Sequence, residues 1–343
     1  MVESRNEKVT IRDVAELAGV SHSTVGRVIG NYGSVSEKAR TRVMTAIEKL
    51  GYSPNAVAQS LRNKKTNTIA VVVGSIANNF FSKVIGAMEN VTTSQGFNLL
   101  ICSTHEDIVT EVRHLQNLQR KRVDAIIMSS LQTNVSAADM GLYNSEIPIV
   151  YIDYSTTNVP HDLLESAIFK GTFQATEYLI NLGHRKIGAM CTPQFPTVKQ
   201  RFEGYCAALK KHGILFEPSL VVNRQYHSEN AGREMVKELF LLNDDITALL
   251  ILNNNLCDST LLALRDMNKN IPDDISLITW DDTSLNDLLE ITTIAQFPEL
   301  IGKVAALQAI KRVQEVNSGK ISQERFVKTL GTEFRIRKSC KAL

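Results

Sequence analysis

Helical periodicity dominates the start of the chain. Between residues 11 and 18, apolar side chains recur at the three- and four-residue spacing of one helical face. Thr10 followed by Asp13 approximates a capping box, which predicts a helix that begins directly after Thr10. Gly19 can make a tight turn, and Ser21 can cap a second short helix. This pattern predicts a helix-turn-helix.

A third amphipathic stretch follows. Ser36 is placed to cap a helix that ends at Leu50, with its apolar positions directed inward. Pro54 suits the first turn of a further short helix over residues 55–61. The polar segment 62–67 then predicts a linker.

From Ile69 onward the pattern alternates between strands and helices. Short continuous apolar runs predict strands near residues 69–73, 98–101, 125–128, 149–152, 166–169, 186–190, 247–252 and 275–279. Helical stretches lie between them, near residues 80–95, 107–121, 136–145, 171–182, 198–212, 229–242 and 256–269. Two such series predict an α/β region of two lobes, each built on a doubly wound parallel sheet. Ligands are expected in the cleft between them, at the carboxyl ends of the strands.

Positive charge is concentrated where the helix-turn-helix is predicted. Residues 1–65 contain 11 Lys/Arg and 6 Asp/Glu, a balance of +5, which leaves −3 of the total +2 for the remainder. A basic first domain is what binding to DNA phosphates requires, although a solvated basic face would have a similar composition.

Other features limit the class of protein. The polar N-terminus has no apolar signal region, and no run approaches 18 apolar residues, so we expect a cytoplasmic protein without a membrane anchor. The five cysteines are scattered without CxxC spacing, which predicts reduced thiols and no metal site. Neither GxGxxG nor a Walker lysine is present, so no cofactor and no enzymatic activity are expected.

Three motifs stand out near the N-terminus: Thr-Ile-Arg-Asp-Val-Ala-Glu-Leu-Ala-Gly-Val-Ser from residue 10, Ser-Thr-Val-x-Arg-Val from residue 23, and Leu-Gly-Tyr-x-Pro-Asn-x-x-Ala-x-x-Leu from residue 50. Together they show a resemblance to LacI/GalR-family transcription regulators. It implies a helix-turn-helix DNA-binding domain over 9–53 and a hinge helix with linker over 54–66. The helix from Ser21 would then enter the major groove.

The resemblance also implies which residues contact DNA. These DNA-binding residues are Thr10, Ser21, His22, Ser23, Thr24, Arg27, Asn55, Ala58 and Leu61. Among them Arg27 suits guanine O6 and N7, and Leu61 matches the leucine that wedges into a base step of the minor groove. Gly26 and Gly30 depart from the family, which usually has Ser and Asn there.

Further landmarks include Asn78-Asn79-Phe80-Phe81, Gly183-His184-Arg185-Lys186-Ile187 and Trp280-Asp281-Asp282. On these, the remainder of the chain resembles the effector-binding core of the same family. The core would span 67–343, with an N-lobe of about 67–162 plus 292–320 and a C-lobe of about 163–291 plus 321–340. The resemblance implies a cleft that binds a sugar or sugar phosphate through Asn78, Phe80, Phe81, Asp153, Arg201, Asn253, Asp281 and Gln296. The phenylalanines would stack on the ligand, and the polar side chains would bond to its hydroxyl or acid groups.

Several positions depart from the core pattern. Asn79 replaces a common proline, and residues 253–255 read Asn-Asn-Asn where many relatives carry Asn-Asp. Ala167 and Ile168 stand where an acidic pair is usual. We therefore expect a cleft that is poor in carboxylates, suited to fewer sugar hydroxyls or to a more anionic ligand such as a sugar phosphate.

The prediction from sequence is a repressor of carbohydrate-metabolism genes that binds a palindromic operator as a homodimer. A small-molecule effector would control it. The alternatives are a small-molecule (sugar)-binding protein, either cytoplasmic or of the transport class, a regulator with a degenerate effector pocket, and a Rossmann-type enzyme. The N-terminal module and the missing signal peptide oppose the transport class, and the absent nucleotide motifs oppose the enzyme.

Overall fold

The computed structural model describes residues 9–30, 32–53, 65–130, 147–153, 162–225, 230–320, 322 and 324–343. Two compact units are present, and the boundary between them falls between Thr66 and Asn67. The predicted hinge helix over 55–61 and the predicted helix over 136–145 lie outside the described residues.

The described part of the first unit forms three helices, α1 (Ile11–Ala18), α2 (His22–Ile29) and α3 (Glu37–Leu50). All three begin where the capping residues predicted. A small apolar core joins them, with Val14, Val25 and Val43 fully buried at its centre. The predicted helix-turn-helix is thereby confirmed.

The second unit contains the alternating elements. Its strands are β1 (Thr68–Val73), β2 (Asn98–Ser103), β3 (Ala125–Met128), β4 (Ile149–Ile152), β5 (Asp162–Ser166), β6 (Ile187–Cys191), β7 (Val221–Asn223), β8 (Ala248–Ile251), β9 (Ser276–Trp280), β10 (Thr292–Ala295), β11 (Val327–Leu330) and β12 (Glu333–Arg335). Its helices are α4 (Asn79–Ser94), α5 (Ile108–Lys121), α6 (Ile168–Asn181), α7 (Pro196–Lys211), α8 (Ala231–Leu242), α9 (Cys257–Asp266), α10 (Ser284–Leu288) and α11 (Pro298–Ser318). Short 3-10 turns cover Pro218–Leu220 and Asn254–Leu256.

The strands of this unit form two six-stranded sheets with matching topology. The first has the order β11-β5-β4-β3-β1-β2 and the second β12-β10-β9-β8-β6-β7. Each sheet, with its helices, forms one lobe. Among the described strands, every pair is parallel except β10 with β12, an antiparallel pair at one edge. The predicted fold class is confirmed, with this one antiparallel edge as the exception.

In the described part of the second unit, the chain passes between the two lobes three times, which corrects the predicted lobe boundaries. It leaves the first sheet after β5, returns from β10 to α11, and leaves again between β11 and β12. Residues 163–166 and 327–330 therefore belong to the N-lobe, and residues 292–295 belong to the C-lobe. The predictions for these segments were wrong.

The predicted strand over 166–169 was wrong for a related reason. The strand ends at Ser166, and Ile168 already begins a helix and is buried there. A short apolar run is equally compatible with a strand and with the start of a buried helix. The true strand was hidden because it carries Asp162, whose carboxylate binds Arg312 at 2.7 Å.

Helix α11 packs the second chain segment of the N-lobe against the first. It packs along α4 over a shared apolar core that includes Met88 and Ile301. Gly302 lies at the contact, and a methyl group added there would overlap the carbonyl oxygen of Val84. Among the described helices none has the length and apolar character needed to cross a membrane.

Candidate functional sites

The first candidate site is the exposed face of the helix-turn-helix. His22, Ser23 and Arg27 project from α2 with exposed side chains. Ser21 caps this helix, since its Oγ accepts the Thr24 amide at 3.2 Å. The hydroxyl of Ser21 also lies 2.8 Å from the hydroxyls of Ser23 and Thr24, so these residues shape the start of the helix. His22 and Arg27 extend from the same exposed face, where they can approach DNA.

Thr10 has a comparable role at the start of α1. Its amide and its hydroxyl both donate to Oδ2 of Asp13, at 2.7 and 2.8 Å. These hydrogen bonds lower the pKa of Asp13. The remaining predicted DNA contacts, Asn55, Ala58 and Leu61, lie outside the described residues.

The second candidate site is the cleft between the lobes of the second unit. It contains about 620 Å³ of empty space, counting the part that opens to solvent. All eight residues predicted to bind an effector line this cleft, namely Asn78, Phe80, Phe81, Asp153, Arg201, Asn253, Asp281 and Gln296. Most follow the carboxyl end of a strand or begin the next helix, as expected for parallel sheets.

Asp281 is the most constrained acid of the cleft. It is 6% exposed, and both of its oxygens accept hydrogen bonds, from Gln296 Nε2 at 2.8 Å and from Asn254 Nδ2 at 2.6 Å. Burial raises the pKa of Asp281, and Arg201 opposes the shift. Oε1 of Gln296 is buried without a hydrogen-bond partner among the described residues. This network therefore presents an unused acceptor next to an acid.

Arg201 supplies the positive charge of the cleft. Its Nη1 donates to the carbonyl oxygen of Leu252 at 2.8 Å, and its guanidinium lies 4.1 Å above the Trp280 ring. Burial lowers its pKa, while Asp281 and Asp153 act in the opposite direction. Nε of Arg201 is buried and has no partner among the described residues, so it remains available to donate to a ligand.

Asp153 follows β4 and faces Arg201 from the N-lobe. Part of this residue is exposed, but its Oδ1 is buried and has no partner among the described residues. Burial raises the pKa of Asp153 to about 6, against the opposing effect of Arg201. An acid in this condition is stabilised when a ligand donates a hydrogen bond to it.

Amides and aromatic rings complete the lining. Asn78 Nδ2 in the N-lobe donates to Asn255 Oδ1 in the C-lobe at 2.9 Å. Asn253 is 3% exposed and donates to Thr192 Oγ1 at 2.7 Å. Phe80 and Phe81 meet edge to face with ring centroids 5.2 Å apart. The cleft thus combines directed polar groups with an apolar wall.

Glu106 is a further acid in the cleft, and sequence reasoning missed it. Burial, with the nearby Asp153 and Glu111, raises its pKa to about 7. With Glu106, Asp153 and Asp281 in its lining, the cleft is not poor in carboxylates, and that prediction was wrong. The position of Glu106 soon after the carboxyl end of β2 could have identified it from the sequence, because parallel sheets place ligand-binding side chains at that end.

A metal centre has no support in the part of the chain that the structure describes, where no His, Cys, Asp and Glu side chains cluster as a set of ligands. The cysteines of the chain are unpaired thiols, of which Cys191 and Cys257 are buried.

Comparison with family models agrees with the two units. Residues 10–55 match the family described as bacterial regulatory proteins, lacI family. Residues 176–340 match a periplasmic binding protein-like domain.

Similar sequences cover almost the whole chain. The HTH-type transcriptional repressor PurR of Pasteurella multocida is 31% identical over 336 residues, which cover 97% of this chain and 99% of that protein. The HTH-type transcriptional regulator DegA of Bacillus subtilis is 34% identical over 294 residues, which cover 84% of this chain and 87% of that protein.

Solved structures show the same architecture. A lac repressor dimer bound to operator and the anti-inducer ONPF has a TM-score of 0.84 and 25% identity, covering 98% of this chain and 100% of its own. A LacI family transcriptional regulator from Enterococcus faecium with bound ribose has a TM-score of 0.71 and 26% identity, covering 80% of this chain and 99% of its own.

Proposed function

The chain belongs to the lacI family of bacterial regulatory proteins, and on this premise we propose that it is a cytoplasmic repressor that binds a palindromic operator as a homodimer. A small-molecule effector in the interlobe cleft would set its affinity for DNA. A chain of this family is a DNA-binding regulator of transcription and not an enzyme. The observation that carries the proposal is the exposed face of α2 in the same chain as a cleft rich in directed polar groups.

The DNA contacts follow from the helix-turn-helix. Arg27 can bind guanine through O6 and N7, while His22 and Ser23 reach base edges or phosphates. The predicted hinge residues Asn55, Ala58 and Leu61 would enter the minor groove, where a leucine wedge kinks the duplex. Two copies are needed because a palindromic site repeats each half.

Effector binding is supported by the chemistry of the cleft. Asp153, Asp281 and Asn253 can accept or donate to ligand hydroxyls, and Arg201 can donate to them. Phe80 and Phe81 offer an apolar surface for the face of a sugar ring. The ribose-bound structural relative makes a carbohydrate the first class to test. A ligand that bridges both lobes would bind one lobe arrangement better than another, and this difference would couple the cleft to DNA affinity.

The experiment begins with the full-length chain and a library of random duplexes. Repeated selection should enrich one palindromic sequence, and fluorescence anisotropy then gives its affinity. Leu61→Ala should weaken binding to that sequence strongly while leaving sugar binding by the core unchanged. Failure to enrich a palindrome would overturn the DNA-binding part of the proposal.

The effector part is tested on the enriched duplex. Candidate sugars are added, and a change in DNA affinity identifies an effector. Asp281→Asn should remove this response without changing DNA affinity in the absence of sugar. A response that persists in Asp281→Asn would show that the effector binds elsewhere.

A further inference from the structure

The charges in the cleft are unbalanced. Of the described residues that line it, Glu106, Asp153 and Asp281 are acids, and Arg201 is the one base. With every group ionised, the lining carries a net charge of −2. An anionic ligand would meet this excess in a partly desolvated space, where charge interactions are strong.

Arg201 is already engaged with the two aspartates. It interacts electrostatically with Asp281 and Asp153, and one of its nitrogens is used by the Leu252 carbonyl. Glu106 has no ion pair among the described residues, and its neighbours Asp153 and Glu111 are acids. Glu106 is therefore the acid of the cleft that lacks a basic partner in the described part of the chain.

The backbone holds Glu106 in a strained position. His105 and Glu106 have positive φ angles of 53° and 60°, a conformation that side chains with a Cβ adopt at a cost. The His105 amide donates to the carbonyl of Gly74 at 2.8 Å, and Ser103 Oγ donates to the same carbonyl at 3.1 Å. The carboxylate of Glu106 lies so close to Gly74 that a methyl group there would overlap Oε1. Backbone strain of this kind persists only where surrounding contacts fix the conformation, and it is common at ligand-binding sites.

We propose that Glu106 is a specificity-determining residue that binds a cationic amine of the effector. The effector is then a hydroxyl-rich amine, of the amino-sugar class, rather than a sugar phosphate. This inference rests on the proposed function, because it concerns the same cleft. The ammonium group supplies the charge that the described lining lacks, and the remaining polar groups bind the hydroxyls.

The affinity should depend on pH in a way that identifies the pair. The groups that face Glu106 are Asp153, Glu111 and, across the cleft, Arg201 and Asp281. Below its pKa of about 7, Glu106 takes up a proton and loses its attraction for an ammonium group. Affinity for an amine should then fall by up to about tenfold for each pH unit below 7, and binding should release a proton. A neutral sugar should show no comparable loss.

The test is calorimetry of the full-length chain with matched probes. Glucose, galactose and mannose are compared with their 2-amino-2-deoxy derivatives and their 6-phosphates, at pH 7 and at pH 5.5. We expect at least one amino sugar to bind about tenfold or more tightly than its neutral parent, as charge-assisted hydrogen bonds imply. We expect no phosphate to bind more tightly than its parent.

Glu106→Gln is the diagnostic variant. It should remove the preference for the amine and the pH dependence while keeping affinity for the neutral parent. Glu203→Gln is the matched control, because Glu203 is exposed on α7 and does not line the cleft. Equal binding of amine and parent, preference for a phosphate, an unchanged Glu106→Gln variant, or no binding by any probe would each overturn the proposal. Binding of the same preparation to its selected operator shows separately whether the proposed regulatory function stands.

Discussion

Asp153 and Asp281 occupy equivalent places in the two lobes. Each follows the third strand from the same edge of its sheet, β4 or β9, and each has a left-handed backbone, with φ of 66° and 63°. The amide of Asp153 donates to Leu164 and that of Asp281 to Ile294, both at 2.9 Å. The two lobes thus present two acids to one cleft from equivalent positions. Arg201 interacts electrostatically with both of them.

Removal of Arg201 should destabilise the core in a pH-dependent manner. We expect Arg201→Met to lower the free energy of unfolding by about 3 kcal/mol at pH 8, since it leaves two shielded acids without their base. The loss should be smaller at pH 5, because burial raises the pKa of both aspartates and a protonated acid carries no unpaired charge. Denaturant titrations at the two pH values test this, with the exposed Lys199→Met on the same helix as the control. A loss that is equal at both pH values would contradict the electrostatic explanation.

The unmodified core should itself respond to pH. The pKa values of Glu106 and Asp153 are raised to about 7 and about 6, above their ordinary values of 4.5 and 3.8. The folded state therefore binds more protons than the unfolded state between about pH 4 and pH 7, and these groups make stability fall as pH rises through that window. Above about pH 8 their effect should be constant. Unfolding curves of Glu106→Gln and Asp153→Asn should each show a weaker decline, and an unchanged slope would argue against these two groups.

Packing between α4 and α11 should depend on Gly302. We expect Gly302→Ala to cost about 2 kcal/mol, because the new methyl group meets the backbone of Val84, which cannot move without shifting the helix. Gly86 on α4 is a matched control, since nothing lies within 4 Å of the position its methyl group would take. Gly86→Ala should be neutral or stabilise by up to about 1 kcal/mol. Thermal unfolding of the two variants makes the comparison, and similar effects would show that the contact is loose.

Specific DNA recognition should depend on Arg27. We expect Arg27→Ala to weaken binding to the selected operator by about 1–3 kcal/mol and to relax the preference at one base pair of each half-site. Lys49→Ala removes a charge from the exposed end of α3 and should have a smaller effect that is similar for all sequences. Anisotropy with operator and scrambled duplexes distinguishes the two. An equal loss on both duplexes in Arg27→Ala would assign this residue to phosphate binding.

Much of the fold was predictable because its determinants are local. Ser21 and Ser36 cap the helices that follow them, so their side chains predict where those helices start. The buried strands of the sheets are continuous apolar runs in the sequence. The edge strand β11 was missed because three of its four residues are exposed, so no apolar pattern marks it. Strand β5 was missed because the charge of Asp162 is compensated by Arg312, which is 150 residues away in sequence.

The cleft shows the same division. Eight positions from separate segments of the chain were predicted through family resemblance, and they line one cavity. Glu106 matched no motif, and its relevance depends on the fold of the backbone around Gly74. The contact between Asn78 and Asn255 likewise joins residues 177 positions apart in sequence. Local side-chain patterns do not show which residues meet over such a distance.

The three passages between the lobes also determine how this molecule can move. They consist of Ala167, residues 296–297 and residues 331–332, so each is only one or two residues long. The three passages lie close together. The Ala167 amide donates to the Leu330 carbonyl at 2.7 Å, and a methyl group on Gly171 would touch both Ile294 and Thr332. Three short connections at one place act as a hinge, so opening and closing of the cleft is the motion that deforms the chain least. Gln296 is part of this hinge and also donates a hydrogen bond to Asp281. A ligand that contacts the Gln296 amide would therefore change the stiffness of the hinge as well as the separation of the two lobes.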